Sequence, residues 1–137
     1  MATYLFAFAA EIIGIVLILW DGIPIFRHLL QFELVGSERD LTILIVATIL
    51  VQFSYWRYLR YDPPFELPRQ QFLAHIVLFI SRLVFIFPSA IFSLVVYRYP
   101  NVSDVSITRL ALMMAVLFSG FCFSRHLEKL GTLMNRT

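Results

Sequence analysis

Glu11, Gln52 and Arg82 are the side chains with the most chemistry to offer, because each falls inside a long apolar run: Tyr4 to Trp20, Leu41 to Leu59 and Gln71 to Tyr97. An ionisable group within a bilayer costs about 2.5–3.5 kcal/mol on insertion scales, so it faces protein or water rather than acyl chains. At about 1.5 Å per residue, Glu11 lies about 10 Å from the start of its helix, Gln52 about 10 Å from the end of its own, and Arg82 about 16 Å into the third. These depths are measured from one face of the membrane, and an arginine stem spans several ångströms more. The spacing therefore predicts a buried Glu11, Gln52, Arg82 cluster in which carboxylate, amide and guanidinium meet. Such a cluster has two uses. It can clamp helix register by neutralising itself, or it can bind a proton, an anion or a headgroup.

The three histidines offer less. His75 and His126 fall towards one face, but axial haem ligation needs imidazoles opposed across a pocket. His126 is expected just beyond the fourth span, in the headgroup layer beside Arg125 and Lys129, with His28 on the other face. His75 is then a packed or interfacial side chain, retained only as a possible ligand, and no cofactor is expected. The single cysteine, Cys122, excludes an intramolecular disulfide and a cysteine metal framework. No phosphate-cradling glycine loop, GxSxG elbow, HExxH pair or helical carboxylate pair is present, so neither an enzyme nor a metal site is expected. Tyr55, Trp56, Tyr58 and Tyr61 interleave with Arg57 and Arg60 at a helix end. Amphipathic rings and snorkelling arginines favour the headgroup level, which makes Trp56, Arg57, Tyr58 and Arg60 interfacial anchors rather than a nucleic-acid platform.

The elements that must carry these residues follow from composition. Of 137 residues, 60% are hydrophobic and 15% charged, with a mean hydropathy of +0.81. Soluble domains have about 25% charged and about 45–50% apolar residues, so a soluble globular domain is excluded. The net charge of +2 is too mild, and too dispersed, for nucleic acid. Residues 1–137 read as a single integral membrane domain, an all-α four-helix transmembrane bundle with spans at about 4–20, 41–59, 71–97 and 105–124. Asp21 to Asp40, too polar to cross, is expected as a short interfacial helix, although an extension of the first span past Trp20 also fits. Pro63, Pro64 and Pro68 stiffen the second connection, Ser103 or Asp104 can cap the fourth helix, and Pro88 predicts a kink in the third. Ser89, Ala90, Ser93, Ser119 and Gly120 offer small surfaces for a neighbouring helix. Arg57, Arg60, Arg69, Arg125, Lys129 and Arg136 share one face against Arg27, Arg39, Arg98 and Arg109 on the other, which predicts both termini in the cytoplasm.

Two segments carry a resemblance. Glu66-Leu67-Pro68-Arg69-Gln70-Gln71-Phe72, followed by Ile80-Ser81-Arg82-Leu83-Val84-Phe85-Ile86, resembles the phosphate-starvation-inducible PsiE family of small bacterial inner-membrane proteins, with weaker similarity from about Ile12 to Leu127. The resemblance implies four spans in the bacterial inner membrane, a stress-linked role and a functional weight on Arg82. Gln52 stands where the family has a glutamate, which leaves Glu11 as the candidate negative charge. The family's biochemical activity is unassigned, and phosphate transport does not follow.

Functionally, this predicts a non-enzymatic accessory or regulatory subunit that acts through helix contacts, either as a homo-oligomer or within a larger membrane complex, with the lipid bilayer as its solvent and no nucleic-acid partner. The alternative is a small proton- or anion-linked transporter or channel component built on the polar cluster.

Overall fold

The computed structural model describes the backbone of residues 2–31, 38–98 and 107–135. Four helices account for all of it but the 60–70 loop: α1 (Ala2–Gln31), α2 (Glu38–Ser54) prolonged by a π-helical turn (Tyr55–Leu59), α3 (Gln71–Arg98) and α4 (Ile107–Asn135). In lipid only helices and closed barrels satisfy every backbone polar group, and these sequences take the helical solution. The stretches Ala2–Pro24, Leu41–Leu59, Gln71–Leu94 and Ile107–Asn135 are long and apolar enough to cross a bilayer. The chain is thus an all-α, multi-pass membrane protein. Its outer surface is as apolar as its interior, with Phe6 79% and Phe79 62% exposed, a surface that acyl chains cover and water does not.

α1 packs on α2 and α3 on α4, while contacts between these two hairpins are fewer. Ile15, Ile18, Ala47, Val51, Val84, Phe123, Leu127 and Leu130 form the central apolar cluster. A second cluster of Tyr4, Ala7 and Leu59, flanked by Phe8, Tyr55, Tyr58 and Phe65, closes one end. Ser81 donates to the Ser124 carbonyl at 2.8 Å, pinning α3 to α4 near mid-length.

Close approach within the first hairpin depends on Gly14. A Cβ there would lie 2.6 Å from Val51 Cγ2 and 3.1 Å from the Ala47 carbonyl oxygen, both on α2. Val51 is β-branched and its χ1 is stiff, so the clash resolves only by moving the helices apart. Gly14→Ala is expected to destabilise the protein by about 1–3 kcal/mol, read as a lower midpoint in detergent unfolding. An unchanged midpoint would show that this contact is loose.

Two boundaries differ from the sequence reading. α1 does not end at Trp20 and release a separate interfacial helix; it runs unbroken through Pro24 to Gln31. Proline removes one backbone donor, and the helix is continuous on either side of it. Residues 32–37 of the expected interfacial segment, and the proposed caps Ser103 and Asp104, lie outside the described residues, as do the side chain of His28 and, from the charge count, Arg136 and the side chains of Arg27, Arg39 and Arg98. The fourth helix does not stop at Ser124 but continues to Asn135. Pro88 likewise sits within an unbroken α3, where it faces α4: a Cβ on Gly120 would be 3.3 Å from Pro88 Cγ. The small surface at Ser119 and Gly120 is buried against its neighbours, whereas Ser93 faces outward.

Candidate functional site

The extension of α4 brings a histidine into the core. Along α4 the buried residues Ser119, Cys122, Phe123, His126, Leu127, Leu130, Gly131 and Met134 recur every three or four positions, one continuous stripe of a helix face. His126 therefore points inward, 1% exposed, instead of lying in the headgroup layer. Its Nδ1 is 2.6 Å from Glu11 Oε2, and its Nε2 is 2.8 Å from the Tyr4 hydroxyl. Glu11 is 0% and Tyr4 6% exposed. The result is a buried chain, Tyr4–His126–Glu11, joining α1 to α4.

Both bonds form at once when the imidazole is neutral with its proton on Nδ1: that N–H donates to the carboxylate and Nε2 accepts the tyrosine O–H. A doubly protonated ring donates to both partners instead. The ring is held by the edges of Phe8 at 5.1 Å and Tyr4 at 6.0 Å between centroids, and Tyr4 in turn meets Phe65 at 5.8 Å. Glu11 Oε1 is buried and accepts no hydrogen bond.

The cluster expected from the sequence does not form. Arg82 is exposed on α3 and has no hydrogen-bond or ion-pair partner among the described residues. Its immediate neighbour Ser81 faces α4 with Ala74, Val84 and Pro88, and one residue is a turn of about 100°, which carries Arg82 off that seam. Equal depth does not make equal azimuth. Gln52 is also separate from Glu11: its amide N–H donates to Ser119 Oγ at 3.0 Å, and its carbonyl accepts the Trp56 indole N–H at 2.9 Å. Cys122 Sγ lies within 3.9–4.0 Å of the same amide. Ser119 passes its own hydroxyl to the Ala115 carbonyl at 2.9 Å. This second bridge ties α2 to α4, so each hairpin is held to the other by a polar contact.

No protein-family model matches the chain, and no curated protein or solved structure matches it.

The residues expected as interfacial anchors at the end of α2 differ in their surroundings. Trp56 and Arg57 are exposed, Tyr58 packs on the Leu59 cluster, and the Arg60 guanidinium stacks 4.8 Å from the Tyr61 ring and 5.9 Å from that of Trp56. Arg60, Asp62, Arg125, Glu128 and Lys129 line a pocket of about 420 Å³ at this end, with Tyr55 on its wall. Lys129 reaches Asp62 at 2.8 Å and the Arg60 carbonyl at 3.0 Å, and Arg125 pairs with Glu128 at 2.6 Å. These contacts, together with Tyr4, place the first residues of α1, the 60–70 loop and the last turns of α4 at one end of the bundle. His75 is exposed and bonds the Gln71 carbonyl at 2.7 Å through Nδ1, a local bond of the kind expected of an ordinary interfacial side chain. His126, its supposed haem partner, has both ring nitrogens engaged.

The sequence reading missed Tyr4 and His126 because it ended the fourth span where charge begins, at Arg125. The stripe of small and apolar residues through Leu127, Leu130, Gly131 and Met134 was the signal that the helix continues.

Proposed function

We propose that this protein is a non-enzymatic accessory or regulatory subunit of a larger membrane complex, docking through the outer face of α3. The observation that supports the reading is Arg82. It lies about 16 Å into α3, near the middle of the Gln71–Leu94 span, points away from the bundle, and has no partner in its own chain among the described residues. A lipid-facing arginine at that depth is unfavourable by a few kcal/mol, and an acidic group on an apposed helix removes the cost. Among the described residues, a second copy offers no carboxylate free at that depth. Among the described residues the carboxylate nearest mid-span is Glu11, which is fully buried against His126. Asp62, Glu66 and Glu128 belong to the end of the bundle near Arg60, and Asp21 to the far end of the α1 span. The partner is then a different protein with an Asp or Glu near the middle of a transmembrane helix.

The bacterial inner membrane, cytoplasmic termini and the stress-linked role of a PsiE-like protein belong to the same proposal. The clustering of Arg60, Arg125 and Lys129 at the end shared by Tyr4 and the close of α4 favours that orientation. The test is photo-crosslinking in native membranes from positions 79 and 86, on the Arg82 face, with position 6 on α1 as control. A cross-link from 79 and 86 to a protein whose mid-span carboxylate, once amidated, abolishes the adduct is the expected result. Cross-links only to lipid, or only to a second copy, would overturn the reading.

A further inference from the structure

Glu11 and His126 are both fully buried, share a 2.6 Å hydrogen bond, and are continued outward by Tyr4 at 2.8 Å, while Glu11 Oε1 accepts nothing. We propose that the Tyr4–His126–Glu11 chain is a proton-binding site that takes one proton from water at the Arg60–Lys129 end of the bundle and releases it there. This site is independent of the docking face on α3, and its tests do not involve a partner protein.

The hydrogens balance without moving a heavy atom. In the unloaded state Glu11 is a carboxylate, the imidazole carries its proton on Nδ1 and donates it to Oε2, and the Tyr4 O–H donates to Nε2. The site then holds a net charge of −1. On loading, a proton from hydronium binds the tyrosine oxygen as the original hydroxyl proton passes to Nε2. The ring is now an imidazolium that donates to Glu11 from Nδ1 and to Tyr4 from Nε2. Passage of the Nδ1 proton to the carboxylate gives the equivalent acid and neutral imidazole. Either way the net charge is zero, and the distances that hold the unloaded chain also hold the loaded one.

A clamp would need only the Glu11–His126 pair. Tyr4 adds direction: it precedes Glu11 by two helical turns, about 10 Å, so the hydrogen-bonded chain leads from the helix end into the membrane. Tyr55 packs on the cluster around Tyr4 and also lines the 420 Å³ pocket, so it adjoins both the relay and the pocket. The other groups that act on the site are few. Tyr55 of the π-helical turn packs on the cluster around Tyr4, Cys122 of α4 is buried beside the Gln52 amide, and Asp62 of the 60–70 loop pairs with Lys129. From α3, His75, Arg82 and Tyr97 are all exposed and none is bonded to the chain. Phe8 and Phe65 cover the remaining sides.

The test is infrared difference spectroscopy of the full chain in lipid nanodiscs, from about pH 4 to about pH 10, a range that brackets ordinary carboxyl and imidazole titration. A carboxylic-acid carbonyl or imidazolium band should appear and vanish with pH and be lost in Glu11→Gln. Nitrogen NMR on His28→Gln/His75→Gln, which leaves His126 as the sole imidazole, gives a second reading with Glu11 intact. Both ring nitrogens should shift with pH. Tyr4→Phe, which removes the hydroxyl bonded to Nε2, should slow protonation about tenfold or more after a pH jump. Bands and nitrogens that do not change across the range would make the site a static clamp and overturn the proposal; an unchanged rate in Tyr4→Phe would overturn the relay.

Discussion

His126→Ala is expected to lower the unfolding free energy by about 3–5 kcal/mol, the cost of leaving a buried charged partner uncompensated. The loss is large against the roughly 5–15 kcal/mol that holds an ordinary domain together. The reason is where the residue sits. α1 and α4 belong to different hairpins, and the direct contact between those helices is slight compared with the contacts inside each hairpin. His126 makes polar bonds across that junction to both Glu11 and Tyr4, and removing the imidazole leaves Glu11 0% exposed with neither oxygen engaged. Glu11→Gln should cost much less, since an amide oxygen still accepts from Nδ1. The double variant Glu11→Leu/His126→Leu should recover most of the loss, as apolar replacement of a buried pair is often neutral or better. Equilibrium unfolding in mixed micelles checks all three. A loss below about 1 kcal/mol for His126→Ala would mean that the pair is solvated and its burial is not maintained.

Arg82→Leu is expected to leave folding and insertion intact, even slightly improved, while weakening the proposed partner complex by about 2–5 kcal/mol, at least about 30-fold in Kd. Among the described residues the substitution touches no hydrogen bond or ion pair, and it replaces a charge on a lipid-facing surface by an apolar side chain. A structural residue would behave oppositely, losing the fold first. Arg82→Lys should retain part of the affinity, because an ammonium keeps the charge but lacks the bidentate fork that matches a carboxylate. Affinity measured between purified components in nanodiscs decides the matter. Equal affinity for wild type and Arg82→Leu would remove the docking face from α3.

The apolar runs themselves made the four crossings legible, since about 20 apolar residues must span a hydrocarbon core and must be helical to satisfy their backbone. The depth of Glu11 was legible too, and with it the need for a partner. The identity of that partner was not. Hydropathy reports how deep a residue lies, because depth depends on counting along one helix. It does not report which way the residue faces across helices, because azimuth depends on the rotation each helix adopts when its small and apolar stripe finds a neighbour. Thus Arg82, at a plausible depth, turned outward once Ser81 docked on Ser124, and His126, read as a headgroup residue, turned inward once Leu127, Leu130 and Gly131 carried α4 onward along its buried face.

Composition and run length by themselves determined that this chain lives in lipid, that it crosses four times as helices, and that a carboxylate in the first crossing cannot stand alone. Only the tertiary packing decided that the carboxylate answers to an imidazole rather than a guanidinium. Close contact at Gly14 and the Ser81–Ser124 bond set the rotation of each hairpin, and rotation alone determines which side chains at a common depth meet.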